Sequence, residues 1–97
     1  MNSFPKIESV YPLPNYHLLV LFENGKMRTY DCRPLLADAT FEPLVEESLF
    51  AQVHVDDGGY GVVWTDEIDL AESELWLNGH EAENLPLKAL LSLEKTT

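Results

Sequence analysis

The sequence is poor in positive charge. Only six of its 97 residues are Lys or Arg, against seventeen Asp or Glu. The stretch 34–87 contains no Lys or Arg at all. Phosphate backbones are gripped by cations, so this scarcity argues against direct binding of nucleic acid. Cysteine is scarcer still. Cys32 stands alone, cannot close an internal disulfide and fits a reducing compartment, which makes a cytoplasmic location the expectation. Long apolar runs are also missing. The longest, Leu18 to Phe22, is far too short to cross a membrane, so no membrane partner is expected. The opening residues, MNSFPKIESV, lack a charged region leading into an apolar stretch, and no signal peptide is expected. Internal repeats and low-complexity linkers are absent as well.

What is present describes one small folded domain. Hydrophobic residues make up 45% of the chain and aromatics 10%, which argues against disorder. The formal charge of −11 is unevenly placed. Residues 1–33 sum to +1, residues 34–87 to −13 and residues 88–97 to +1. The central stretch must therefore stay solvated or meet a cationic partner. Its plain reading is solubility; its functional reading is a surface for a basic protein.

Hydrophobic periodicity lays out the elements. Ile7 to Tyr11 reads as a strand with Ile7, Ser9 and Tyr11 on one face. Pro12 to Asn15 is turn chemistry. Tyr16 to Phe22 is apolar on both faces and reads as a central strand. Asn24-Gly25 predicts a type I′ hairpin turn with positive φ at both central residues, returning through Lys26 to Asp31. Leu35 and Leu36 predict a short turn on the core after Pro34. Phe41, Leu44, Val45 and Leu49 recur at helical spacing, predicting a helix over 41–50 with Thr40 as its N-cap. Gln52 to Asp56 and Tyr60 to Trp64 predict a second hairpin around Asp57-Gly58-Gly59. Ile68 to Leu70 leads into a helix over about 71–78, with Leu75 inward and Gly79 as its C′ stop. Asp69 with Glu72 has the spacing of a capping box. Residues 80–97 form a C-terminal extension, where Leu87, Leu90 and Leu91 would line a short amphipathic helix. The expected fold class is α+β: an antiparallel sheet built from an N-terminal three-stranded meander and a second hairpin, with two or three short helices. The expected domain spans 1–79.

Several constellations invite chemistry, and each has a plainer reading. His54, Asp56 and Asp57 crowd a Gly-rich turn, but the order of a calcium loop is missing. Gly58-Gly59-Tyr60-Gly61 resembles a phosphate loop, yet neither a helix nor a Lys follows it. Asp66, Glu67 and Asp69 offer paired carboxylates for acid–base work; acids between a strand and a helix more often serve as caps. Cys32 with His17 offers a nucleophile and a base, with no supporting spacing. Trp64 and Trp76 read as core residues. No catalytic residue, cofactor or metal is therefore expected.

A run of short motifs adds to this reading. Val10-Tyr11-Pro12-Leu13-Pro14-Asn15-Tyr16 precedes the central strand. Phe22-Glu23-Asn24-Gly25, Tyr30-Asp31 and Pro34-Leu35-Leu36 follow. Then come Gly59-Tyr60-Gly61-Val62-Val63-Trp64, Asp69-Leu70 and Glu74-Leu75-Trp76 through Gly79. Over residues 5–79 this order resembles the small prokaryotic domain-of-unknown-function family numbered 2442. One departure is Ala71, where that family commonly has a Ser that would cap the helix. The resemblance implies a compact α+β domain and transfers no catalytic residue. Some relatives carry an appended helix-turn-helix domain, and relatives often occur in gene pairs that suggest toxin–antitoxin partnership.

The functional expectation is a non-enzymatic protein-interaction module, the acidic neutralising member of such a pair. Its candidate contact residues are Asp56, Asp57, Tyr60, Asp66 and Glu67, with Tyr60 as aromatic anchor. The alternatives are a homodimeric regulatory or ligand-sensing domain and, last, a small hydrolase.

Overall fold

The structure is a computed structural model, and it describes residues 4–81. Leu18, Val20 and Phe22 alternate with Leu19 and Leu21 along β2 (His17–Phe22). β2 pairs antiparallel with β1 (Ile7–Leu13) on one side and β3 (Met27–Asp31) on the other. The first sheet therefore begins as the expected meander. A short β7 (His80–Glu81) then pairs with β3, giving the order β1-β2-β3-β7. The second sheet has the order β4-β5-β6, from His54–Val55, Gly61–Thr65 and Ile68–Ala71. All its pairings are antiparallel. Between the strands and around the sheets lie three short 3-10 segments, Pro14–Tyr16, Arg33–Ala37 and Glu42–Val45, and two α-helices, α1 (Glu47–Phe50) and α2 (Glu72–Asn78). The fold is α+β, as its sequence indicates.

One core joins the two sheets. Leu18, Val20, Phe22, Leu44, Cys32, Val62 and Leu75 are fully buried in it. Trp64 is also inside and donates its indole N–H to the Phe50 carbonyl at 3.0 Å. Burial of such side chains contributes about 1.5–3 kcal/mol each, which is why the apolar pattern decides the register. Ile7 joins this core through a bulge between Ile7 and Ser9. A plain alternation had placed Ile7 beside Ser9 and Tyr11; the bulge turns it inward instead.

Other local expectations are corrected too. The strand β1 runs on through Pro12 to Leu13, since Pro12 lies on a strand at the sheet's end, where a missing N–H is tolerated. The hairpin after Phe22 is a three-residue loop rather than type I′. Gly25 alone has positive φ (+87°), and its N–H donates to the Phe22 carbonyl at 2.9 Å. The predicted helix over 41–50 is broken at Glu46, whose backbone is extended. Tyr16 explains the break. Its hydroxyl donates to the Val45 carbonyl at 2.6 Å, taking an acceptor that a continuous helix would use. Thr40 does not cap; Asp38 Oδ1 instead accepts the Thr40 N–H at 2.8 Å. Ile68 to Ala71 is a strand in its own right, so the second hairpin becomes a three-stranded meander.

Helix α2 has no side-chain cap. Neither Asp69 nor Ala71 serves, and the Glu72 N–H donates to the Tyr60 carbonyl at 2.9 Å. At the other end Gly79 is extended (φ −80°), not left-handed. Close approach is its reason: a Cβ there would lie 2.4 Å from the Leu75 carbonyl oxygen. The leucine-bearing stretch of the C-terminal extension lies outside the described residues.

Candidate functional site

The turn between β4 and β5 is tied by one carboxylate. Asp56 Oδ1 accepts the N–H groups of Gly58 (3.1 Å) and Tyr60 (2.8 Å). Its backbone N–H donates to the Gly61 carbonyl at 3.0 Å. Short acids suit such turns because the side chain replaces a backbone acceptor. Gly59, with φ +77°, lets the turn close and reach β1, where the Ile7 N–H donates to its carbonyl at 2.8 Å. The result is an aromatic side chain held outward. Tyr60 is 57% exposed, yet its backbone is bonded on both sides, by Asp56 and by Glu72. Its ring lies against Gly58, and the Lys6 ammonium sits 5.1 Å from the ring centroid.

The five residues singled out from the sequence thus fall into two groups. Asp56, Asp57 and Tyr60 share one turn, where Asp56 is structural and Asp57 is exposed. Asp66 and Glu67 occupy the β5–β6 turn, where Thr65 Oγ1 accepts the Glu67 N–H at 3.1 Å. Both are exposed. The length of β5 separates the two groups by about 13 Å at a rise near 3.3 Å per residue.

A second polar cluster, not anticipated from the sequence, lies at the far end of the first sheet. Arg33 grips Asp31 with two guanidinium bonds (3.0 and 2.8 Å) and a backbone N–H (2.9 Å). His17 Nε2 is 3.8 Å from the same carboxylate. The Arg33 bonds hold the Asp31 carboxyl down at about 2, against a partial opposing effect of burial. Its ordinary value is 3.8, so this pair stabilises the fold above about pH 4 and stops doing so as pH falls towards 2. Acid titration of thermal stability is expected to show that loss, and Arg33→Ala to flatten it. An unchanged acid limb in Arg33→Ala would refute the assignment.

Next to it, an open depression of about 300 Å³ is lined by Tyr30, Asp31, Pro34, Leu35, Asn78 and His80. Tyr30 donates to Glu74 Oε2 at 2.7 Å, and Asn78 to Glu74 Oε1 at 3.0 Å. Burial above all, and then the Glu74 bond, push the Tyr30 phenol well above its usual range. Cys32 is fully buried, and burial pushes its thiol up to about 12. A buried, protonated thiol is a poor nucleophile, so His17 and Cys32 do not form a reactive pair. Among the described residues no group of three or more His, Cys, Asp or Glu stands close enough to hold a metal ion.

The cations are spoken for in a telling way. Arg28 lies over the Trp76 ring, 4.0 Å from its centroid. Arg33 is forked onto Asp31. Thus Arg28 and Arg33 do not form the outward basic patch that phosphate binding would use.

The meander, the second small sheet and the short helices define a compact antiparallel α+β domain. A family model described as "Protein of unknown function (DUF2442)" matches residues 7–81, and the chain belongs to that family. A solved structure from Nitrosomonas europaea, described as a putative DNA binding protein, is similar at a TM-score of 0.60 and 27% identity. The match covers 69% of this chain and 45% of that one. The chain therefore matches less than half of the length of that protein. No curated protein matches the chain.

Proposed function

We propose that the chain is a non-enzymatic protein-interaction module whose partner is basic, the neutralising member of a two-protein pair. The observation that carries this reading is Tyr60: an aromatic side chain more than half exposed, on a backbone fixed by two elements, in a turn that also presents Asp57. Rigid exposed aromatics are the usual anchors of protein contacts, because little entropy is lost when they are covered. The acids of 34–81 add steering. Among the described residues all of them are exposed except Asp56, Glu72 and Glu74. Asp66 and Glu67 would form a second, more distant rim of the same contact.

The DNA-binding description belongs to a longer protein, of which this chain matches 45%. In this chain the engagement of Arg28 and Arg33 leaves little cationic surface for a phosphate backbone. A homodimer is favoured by a different observation. One face of the first sheet carries Tyr11, Leu21 and Met27, with Tyr11 49% exposed, Leu21 and Met27 half-buried and Leu19 on the same face buried. Light scattering across concentration separates the two readings, since a strict monomer removes the dimer.

The main test is affinity for the protein encoded beside this one. Binding is expected at low salt, weakening strongly as the Debye length shrinks from about 10 Å at 0.1 M to about 3 Å at 1 M. Absence of binding at both ionic strengths would overturn the proposal.

A further inference from the structure

We propose that the Tyr60 ring is a seat for a cationic side chain of the partner, and that Lys6 occupies this seat in the free protein. The inference rests on reading the Tyr60 turn as the partner-binding surface, and it names the chemistry recognised there: a lysine or arginine.

The free molecule displays the interaction itself. The Lys6 ammonium stands 5.1 Å from the ring centroid, within the range where the ring quadrupole attracts a cation. The main chain of Lys6 is fixed in this position. Its carbonyl accepts the Glu23 N–H at 2.9 Å, and the next residue, Ile7, donates to Gly59 in the same turn. Its side chain is exposed, so only the exposed end of a flexible stem covers the ring. Lys6 can therefore leave without disturbing the fold. The turn itself is acidic. Asp56 and Asp57 lie in the turn, and Glu72 is bonded through its backbone to Tyr60. Asp56 Oδ1 is engaged by the N–H groups of the turn, which leaves the exposed Asp57 as the acid that draws a further positive charge. An arginine suits the seat best, because its planar guanidinium stacks on an aromatic face while its N–H groups reach a carboxylate. An incoming cation must displace Lys6, so Lys6 competes with the partner.

The competition can be measured on the full chain with a blocked triarginine peptide by calorimetry at fixed low salt. Tyr60→Leu is expected to weaken binding. Lys6→Ala is expected to tighten it by about two- to five-fold, the equivalent of one exposed cation–π contact. Removing a lysine also makes the protein more negative, and that alone would attract the peptide. The double variant Lys6→Ala/Tyr60→Leu separates the two effects. If Lys6 competes for the ring, its removal brings a smaller gain once the ring is gone, the charge effect alone. A gain that is undiminished without Tyr60 overturns the proposal, as does weaker binding by Lys6→Ala alone. Binding that ignores Tyr60 but is lost in Asp57→Asn also overturns it, while leaving the acidic turn as a contact surface. No binding of the peptide by the unaltered chain removes the seat and counts against that surface as well. Thermal melts of each variant confirm that the turn still folds.

Discussion

Gly59→Ala is expected to destabilise the protein by about 2–4 kcal/mol, combining left-handed backbone strain with a weakened backbone bond. Two features of the position act together. Its φ of +77° is unfavourable for any residue with a Cβ. A Cβ there would also lie 2.8 Å from the Ile7 carbonyl oxygen and 3.2 Å from Lys6 Cβ. The closest of these neighbours is backbone, so it cannot swing aside as a side-chain end can. Relief would require the turn to move off β1, which breaks the 2.8 Å bond from the Ile7 N–H to the Gly59 carbonyl. That bond links the second sheet to the first. Gly25 supplies the comparison, since it has a similar φ of +87° but nothing within 4 Å of an added Cβ. Gly25→Ala is therefore expected to cost only about 1 kcal/mol, the conformational part alone. Urea denaturation of both variants measures the difference. Equal losses would show that the approach to Ile7 contributes nothing. The same shift would carry Lys6 away from Tyr60, so Gly59→Ala is also expected to alter the candidate contact surface.

The contrast between these two glycines shows what the sequence could reveal. Each was readable as a turn residue, because tight turns draw on few residue types. That Gly59 also meets β1 depends on a contact between residues 52 positions apart, which no local pattern records. The break at Glu46 has the same origin. Phe41, Leu44, Val45 and Leu49 do recur at helical spacing, but Tyr16, 29 residues earlier, captures the Val45 carbonyl. The apolar run predicts Tyr16 as strand, yet it takes a positive φ of 61°, and its ring meets Phe50 edge-on at 5.3 Å. By contrast, the β2–β3 pairing and the inward Leu75 followed directly from periodicity, and both stand. The candidate surface was legible to a similar depth. An aromatic among glycines and acids marked Tyr60, whereas Lys6 on its ring and Arg33 on Asp31 arise from how the chain closes on itself.

Phe22→Ala should lower stability by about 3–5 kcal/mol, the usual cost of emptying a fully buried phenylalanine site. Phe22 is 0% exposed and ends β2, where it faces Ile7 across the ladder to β1. Its ring meets Trp76 edge-on at 5.1 Å, a favourable aromatic geometry. Trp76 in turn carries Arg28 over its face at 4.0 Å. Phe22 is thus where α2 is fastened to the first sheet. Small domains typically have only about 5–15 kcal/mol of net stability, so this loss would take a large fraction of it. Phe22→Leu keeps most of the volume and is expected to cost clearly less. The two variants are compared by midpoint and slope in urea. A similar slope with a lower midpoint would mean that the same cooperative unit unfolds more easily. The position predicts a second effect, on α2 itself. Glu74 in this helix receives the Tyr30 hydroxyl at 2.7 Å, so a helix that loosens at Trp76 also loosens that bond. Amide exchange in α2 should therefore accelerate in Phe22→Ala more than exchange in β2. Uniform acceleration across the domain would show instead that Phe22 serves the whole core equally and does not specifically fasten α2.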